Sequence, residues 1–259
     1  MGRPLRRVPP AARFLGRYAV LGAGGVCPRR PVLHARHTGN IHRNPAARCC
    51  GARLRQPPGP YRPWSDGPVT PPSQPCLDGT LHVADDGTRW LVYSRGTEGA
   101  AGAAGIRDGE MYALRLSADL RTAADEPVLL FRASSASWVR PLRFPEGVKP
   151  PSNLNLAKDP LFTDGPFLIR AAEGSLLMLW SSHGEAGYAM GIAESTSGTI
   201  TGPWIQHPEP LWSSDGGHGM VLRTSGGRNY LGFHWPNSTP DERVRLTEVD
   251  ISRAGIRIL

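Results

Sequence analysis

The sequence has no run of eighteen consecutive apolar residues, so it offers no candidate for a membrane-spanning helix. It has only four cysteines, and three of them (Cys27, Cys49 and Cys50) fall near the start. That is no disulfide framework, and the adjacent pair Cys49-Cys50 lacks the spacing of a zinc site. The most informative shortage is of acid at one end. Residues 1–56 carry twelve arginines and no Asp, Glu or Lys, while the other eighteen basic residues share 57–259 with all twenty-two acidic ones, a formal charge of −4. The overall charge of +8 therefore does not describe a basic binding face. Nucleic acid and membrane are accordingly not expected as partners.

Residues 1–56 also lack both the period of a strand and the period of a helix. Arg, Pro, Gly and Ala dominate, with little apolar surface to offset chain entropy. Arg13 and Arg17 interrupt the apolar core that an export signal needs, so no localisation follows from the start of the chain. His34, His37 and His42 are taken as chance on this background. The expected organisation is an irregular segment over 1–56, not native domain sequence, followed by a β domain over 57–259.

From residue 57 onward, one pattern is used three times. An acidic-Gly step (Asp78-Gly79, Asp164-Gly165, Asp215-Gly216) opens an apolar stretch, which crosses a Gly turn and returns as an aromatic-rich strand. The copies are LHVADDGTRWLVYS, FLIRAAEGSLLMLWSS and MVLRTSGGRNYLGFH. Alternating side chains on either side of a Gly turn predict antiparallel hairpins. Further strands are expected at 111–117, 127–131 and 188–195, with edge strands at Gly59-Pro60-Tyr61 and Gly202-Pro203-Trp204. Residues 132–162, rich in proline, read as loops. Short sheets of about four strands, each begun by the same signal, point to an all-β propeller.

In a propeller the first strands of successive blades line a central channel, so Asp78 and Asp164 could meet although far apart in sequence. Carboxylates around one pocket suit glycosidic bond cleavage, where one group protonates the leaving oxygen and another activates water or attacks. Asp215 reads as a turn cap. His218 and His234 are expected near the same face, holding a substrate hydroxyl, a water or an ion, or bonded to backbone as buried histidines. Glu110, which opens the strand MYALRLS, is a candidate for the same pocket or a solvated strand end. Trp138, Phe167 and Trp235 could stack on a sugar, whereas Trp180 suits the core.

With these residues in view, 57–259 resembles glycoside hydrolase family 43. The matching stretches include CLDGTLHVADDGTRWLVYS, DGEMYALRLSADL, FTDGPFLIR, YAMGIAESTSGTITGPW, GGHGMVLR and YLGFHWPN. The resemblance implies a five-bladed propeller and an inverting enzyme acting on arabinose-, xylose- and sometimes galactose-containing glycans. It places Asp164 on the general-acid position, where most members have Glu, and Asp78 on the aspartate that tunes and orients the acid. His218 falls on the histidine facing the channel near a bound water or ion, which leaves a structural ion conceivable and requires no cofactor. The family's general base belongs to an Asp in the first blade, and 1–56 holds no aspartate. The resemblance thus implies a propeller lacking its first blade and most of its second, inactive for want of a base. The alternative is a non-catalytic carbohydrate-binding or scaffold propeller.

Overall fold

The computed structural model describes residues 33–38, 48–53, 62–65, 67–97, 105–144, 147, 155–171, 174–238, 240–252 and 255–259. The segment with the interrupted export signal, His42, the side chains of His34 and His37, and the Gly59-Pro60-Tyr61 edge lie outside the described residues.

The described chain is all-β apart from a single 3₁₀ turn at Ala133–Ser135. The strands in order are β1 (Leu33–Thr38), β2 (Arg48–Arg53), β3 (Arg62–Pro63), β4 (Leu77–Val83), β5 (Arg89–Arg95), β6 (Glu110–Arg115), β7 (Val128–Arg132) and β8 (Asp164–Arg170). They continue as β9 (Leu176–Gly184), β10 (Gly187–Ser195), β11 (Trp204–Gln206), β12 (Gly217–Arg223), β13 (Asn229–Trp235), β14 (Arg243–Ser252) and β15 (Gly255–Ile258). Neighbours in sequence pair antiparallel, giving a three-stranded sheet β1–β3 and three four-stranded sheets β4–β7, β8–β11 and β12–β15. The all-β, blade-like architecture expected from the hairpin repeats is the one observed.

The three hairpins share one turn. In each, a Gly N–H (Gly87, Gly174, Gly227) bonds the carbonyl three residues back, at Ala84, Ala171 and Thr224. These glycines have φ of 81°, 91° and 82°, which a side chain would resist. That is why the sequence repeats Gly at this point of every copy.

One expectation is corrected. Within the stretch read as irregular, β1 and β2 pair in register from Leu33 opposite Arg53 to Thr38 opposite Arg48. Main-chain hydrogen bonds hold such a pair whether or not its side chains alternate, so hydropathy did not reveal it.

The middle sheet is covered on both faces, and β9 shows it most clearly. Leu176, Met178 and Trp180 point to a core shared with β5–β7, while Leu177 and Leu179 point to a core shared with β13–β15. All five are fully buried. A strand buried on both faces reads as a continuous apolar run, as LLMLW does. Each such side chain contributes on the order of 1.5–3 kcal/mol relative to exposure.

Trp138 belongs to the first of these cores, with its ring 5.0 Å from Trp180. It is 6% exposed, so its expected role as a sugar platform is not what the structure shows. The ring lies against Gly191, where a Cβ would come 2.4 Å from Trp138 Cζ2. Gly191→Ala should therefore destabilise the fold by about 1–3 kcal/mol through overpacking. An unchanged urea midpoint would show that the ring can move aside.

Candidate functional site

The first strands of the four-stranded sheets, β4, β8 and β12, run beside one another. Each enters its sheet through a β-bulge, between Leu77 and Thr80, between Asp164 and Phe167, and between Gly217 and Met220. The first bulged residue is left-handed in every case: φ is 56° at Asp78, 51° at Gly165 and 54° at His218. Asp and His are among the few side-chain-bearing types that accept this conformation, which is commonly held where function needs it. By register, Asp78, Gly165 and His218 are equivalent, and Asp164 sits one place earlier. The three acidic-Gly steps are therefore not superimposable, which the sequence repeat concealed.

The bulges turn the side chains of Asp78 and His218 into one narrow cleft, lined also by Thr80, Gly165, Pro166, Phe167 and Gly219. Asp164 stands at its edge. His218 Nε2 is 4.0 Å from Asp78 Oδ2, and His218 Nδ1 is 3.8 Å from Asp164 Oδ2. One ligand atom from each of the three residues lies within 4.8 Å of the others. Two carboxylates and an imidazole so spaced could also share a small cation.

Neighbours hold these groups in place. The Tyr188 hydroxyl donates to Asp164 Oδ2 at 2.6 Å, and the Gly165 N–H donates to Asp164 Oδ1 at 3.0 Å. The His218 N–H donates to Ser181 Oγ at 2.9 Å. The imidazole of His218 lies on Gly165, where a Cβ would come 2.7 Å from its ring. A glycine is needed there both for the backbone and for the ring above it.

Burial sets the charge states. His218 is brought down to about 3, first by burial and then by His234, so its imidazole is neutral at ordinary pH. His183 is lowered by burial, against the pull of Asp164 and Asp215. Tyr188 is pushed well up by burial and by Asp164, so it remains a phenol and a donor.

The expected residues sort plainly. Asp78, Asp164, His218 and Phe167 are brought together. His234 stands one layer back, its ring 5.4 Å from that of Tyr188. Asp215 accepts the N–H groups of Tyr188 and Asn237, each at 3.3 Å, so its carboxylate ties together segments distant in sequence. Glu110 is not in the cleft and is not a solvated strand end. It is 4% exposed, with Arg95 Nη1 at 2.8 Å on one oxygen and the Arg132 guanidinium on the other. Tyr188 and Ser181 were not anticipated. Tyr188 opens the strand YAMGIAES after a Gly turn, and nothing local distinguishes it from a core aromatic.

The model for Glycosyl hydrolases family 43 matches residues 51–256. Among solved structures, the chain is similar to an endo-arabinase from Bacteroides thetaiotaomicron VPI-5482. The identity is 36%, the match covers 86% of this chain and 72% of that one, and the TM-score is 0.72. It also resembles a thermostable family-43 glycoside hydrolase at 19% identity, covering 93% and 73% of the two chains with a TM-score of 0.68. An endo-1,4-beta-xylanase from Bacteroides thetaiotaomicron VPI-5482 is similar at 19% identity, over 94% and 74%, with a TM-score of 0.65. The last two likenesses show the fold alone. No curated protein matches by sequence.

The neutral His218 makes a prediction about stability. Its pKa is near 6.5 in the unfolded chain and about 3 when folded. Between those values the unfolded chain binds a proton that the folded one does not, so stability rises with pH across the window. Its slope is at most about 1.4 kcal/mol per pH unit. His218→Asn, which keeps a residue tolerant of the left-handed backbone, should flatten urea unfolding midpoints between pH 6.5 and 4. A variant with the same slope as the parent would mean that His218 titrates in the native state.

Proposed function

The chain belongs to glycosyl hydrolase family 43, and on that footing we propose that it hydrolyses O-glycosyl bonds in arabinose- and xylose-containing glycans by an inverting acid–base reaction. The observation that carries this reading is the cleft itself. Bulges in β4 and β8 bring Asp78 and Asp164, eighty-six residues apart, within 4.8 Å of each other beside a neutral imidazole. The similarity to the endo-arabinase adds support for a glycan substrate.

Asp164 is the proton donor. As the bond from the anomeric carbon to the leaving oxygen breaks, the Asp164 proton passes to that oxygen and leaves a carboxylate. Tyr188 O–H and Gly165 N–H already point at its two oxygens and stabilise the charge so formed. Asp78 is the companion carboxylate that orients and tunes the donor, its Oδ2 lying 3.5 Å from Gly165 N. Neutral His218 fills the gap between the two carboxylates without bringing a charge.

The pair cannot serve alone as acid and base. An inverting acid and base stand about 6.5–9.5 Å apart, leaving room for the attacking water. Asp78 and Asp164 are closer than that, so water activation falls to another group. A specific observation therefore favours a second reading: among the described residues, the cluster of Asp78, Asp164 and His218 includes no third carboxylate. In that reading the cleft binds sugar hydroxyls without turnover. Calorimetry showing that arabinose or xylose oligosaccharides bind while aryl glycosides stay intact would select it.

Asp164→Asn should reduce hydrolysis of an unactivated arabinoside or xyloside by about 10²–10⁴-fold, while activity on the dinitrophenyl glycoside falls far less. Equal losses on both substrates would remove Asp164 from the donor role. Tyr188→Phe should lower kcat about ten-fold on the unactivated substrate and leave KM nearly unchanged, as expected for one lost hydrogen bond to a charged group. A change confined to KM would place Tyr188 in binding instead.

A further inference from the structure

Of the tryptophans that the sequence offered for stacking on sugar, Trp138 is nearly buried and Trp235 is 43% exposed. Trp235 ends β13, directly after His234. Its ring is not a loose surface indole. Nε1 donates to the Ser214 carbonyl at 2.8 Å, which fixes the ring's orientation. Gly216 leaves the room it needs, since a Cβ there would stand 3.1 Å from Trp235 Cδ1 and 2.7 Å from the His234 carbonyl.

The guanidinium of Arg245 lies 5.5 Å from the centre of the Trp235 ring and 4.8 Å from that of Trp212. Arg245 is exposed and reaches this place because β14 sets it opposite Phe233. A guanidinium stacked between indoles keeps its in-plane N–H donors at the edge of the rings. The guanidinium thus lies over one side of the Trp235 ring, and the ring's remaining exposed surface is apolar with hydrogen-bond donors close by. A sugar ring has the matching surface, with C–H groups on its faces and hydroxyls at its rim.

This surface is linked to Asp164 through intervening residues. Asp164 bonds Tyr188, Tyr188 packs its ring on His234, and His234 leads into Trp235. His234 is also the ladder partner of Gly217, the residue before His218.

We propose that Trp235 and Arg245 form a carbohydrate-binding platform at the rim of the cleft. It takes a sugar unit of an oligosaccharide beyond the unit held at Asp78 and Asp164. The class of ligand rests on the function proposed above, whereas the platform rests on the exposure and fixation of Trp235. The protein should accordingly bind chains more tightly than short fragments.

Calorimetry on the full chain with α-1,5-linked arabinobiose and arabinohexaose, and with the β-1,4-linked xylose equivalents, tests this. One hexaose should bind at least about ten-fold more tightly than its biose. Trp235→Ala should erase that gain and leave the biose unchanged, and Trp235→Phe should retain most of it, which also controls for folding. Unchanged hexaose binding in Trp235→Ala, equal loss on hexaose and biose, or no binding of either hexaose by the parent chain would overturn the platform. Hydrolysis of 4-nitrophenyl arabinofuranoside and xylopyranoside, run in parallel, separates the two proposals. Trp235-dependent binding without any hydrolysis sinks the catalytic reading alone. Hydrolysis with hexaose binding indifferent to Trp235 sinks the platform alone.

Discussion

The cleft depends on one backbone irregularity used three times. A regular strand would send alternate side chains into the blades on either side. A bulge at the start of β4, β8 and β12 adds a residue, tightens the local twist and re-aims the side chain at that point. Asp78 and His218 owe their direction to this, and Gly165 gives way to the imidazole for the same reason. The left-handed backbone costs on the order of 1–3 kcal/mol per non-glycine residue. Sheets buried on both faces supply the rigidity that holds it.

Around the bulges, the protein's own donors to the carboxylates carry no positive charge. A protonated histidine between two carboxylates would bind them as an ion pair and silence both. Burial holds His218 neutral instead, and the donors that reach Asp164 are a phenol and a peptide N–H. Arginines are used differently. Two of them enclose Glu110, neutralising a carboxylate that the fold buries beside β5 and β7. The protein thus treats these two carboxylates differently, pairing buried Glu110 with guanidinium and leaving half-buried Asp164 to neutral donors.

Much of this was legible in the sequence, and the misses have physical causes. Asp78, Asp164 and His218 could be picked out because each precedes an apolar strand of the same pattern, although the register among them could not. Glu110 follows an acidic-Gly step as well, but its arginines come from neighbouring strands and meet it only through pairing. Trp138 sits in a proline-rich connection that reads as surface, yet Gly191 opens a slot for it in a strand fifty-three residues further on. Tyr188 and Ser181 alternate like any strand residues, and their roles appear only when β8, β9, β10 and β12 are set side by side. The strands β1 and β2 were missed because main-chain pairing leaves no hydropathy signature.

The seat of Trp138 on Gly191 also bears on how such a chain can change over time. Any side chain at 191 collides with the indole, and a smaller residue at 138 alone leaves an unfilled space against Trp180 and Phe131. Each single step away from the present pair is unfavourable, while a smaller ring at 138 with a methyl at 191 could refill the volume. The two sites therefore tend to change together or not at all. A chimera that takes position 138 from one protein and 191 from another with a different pair should inherit the clash or the void.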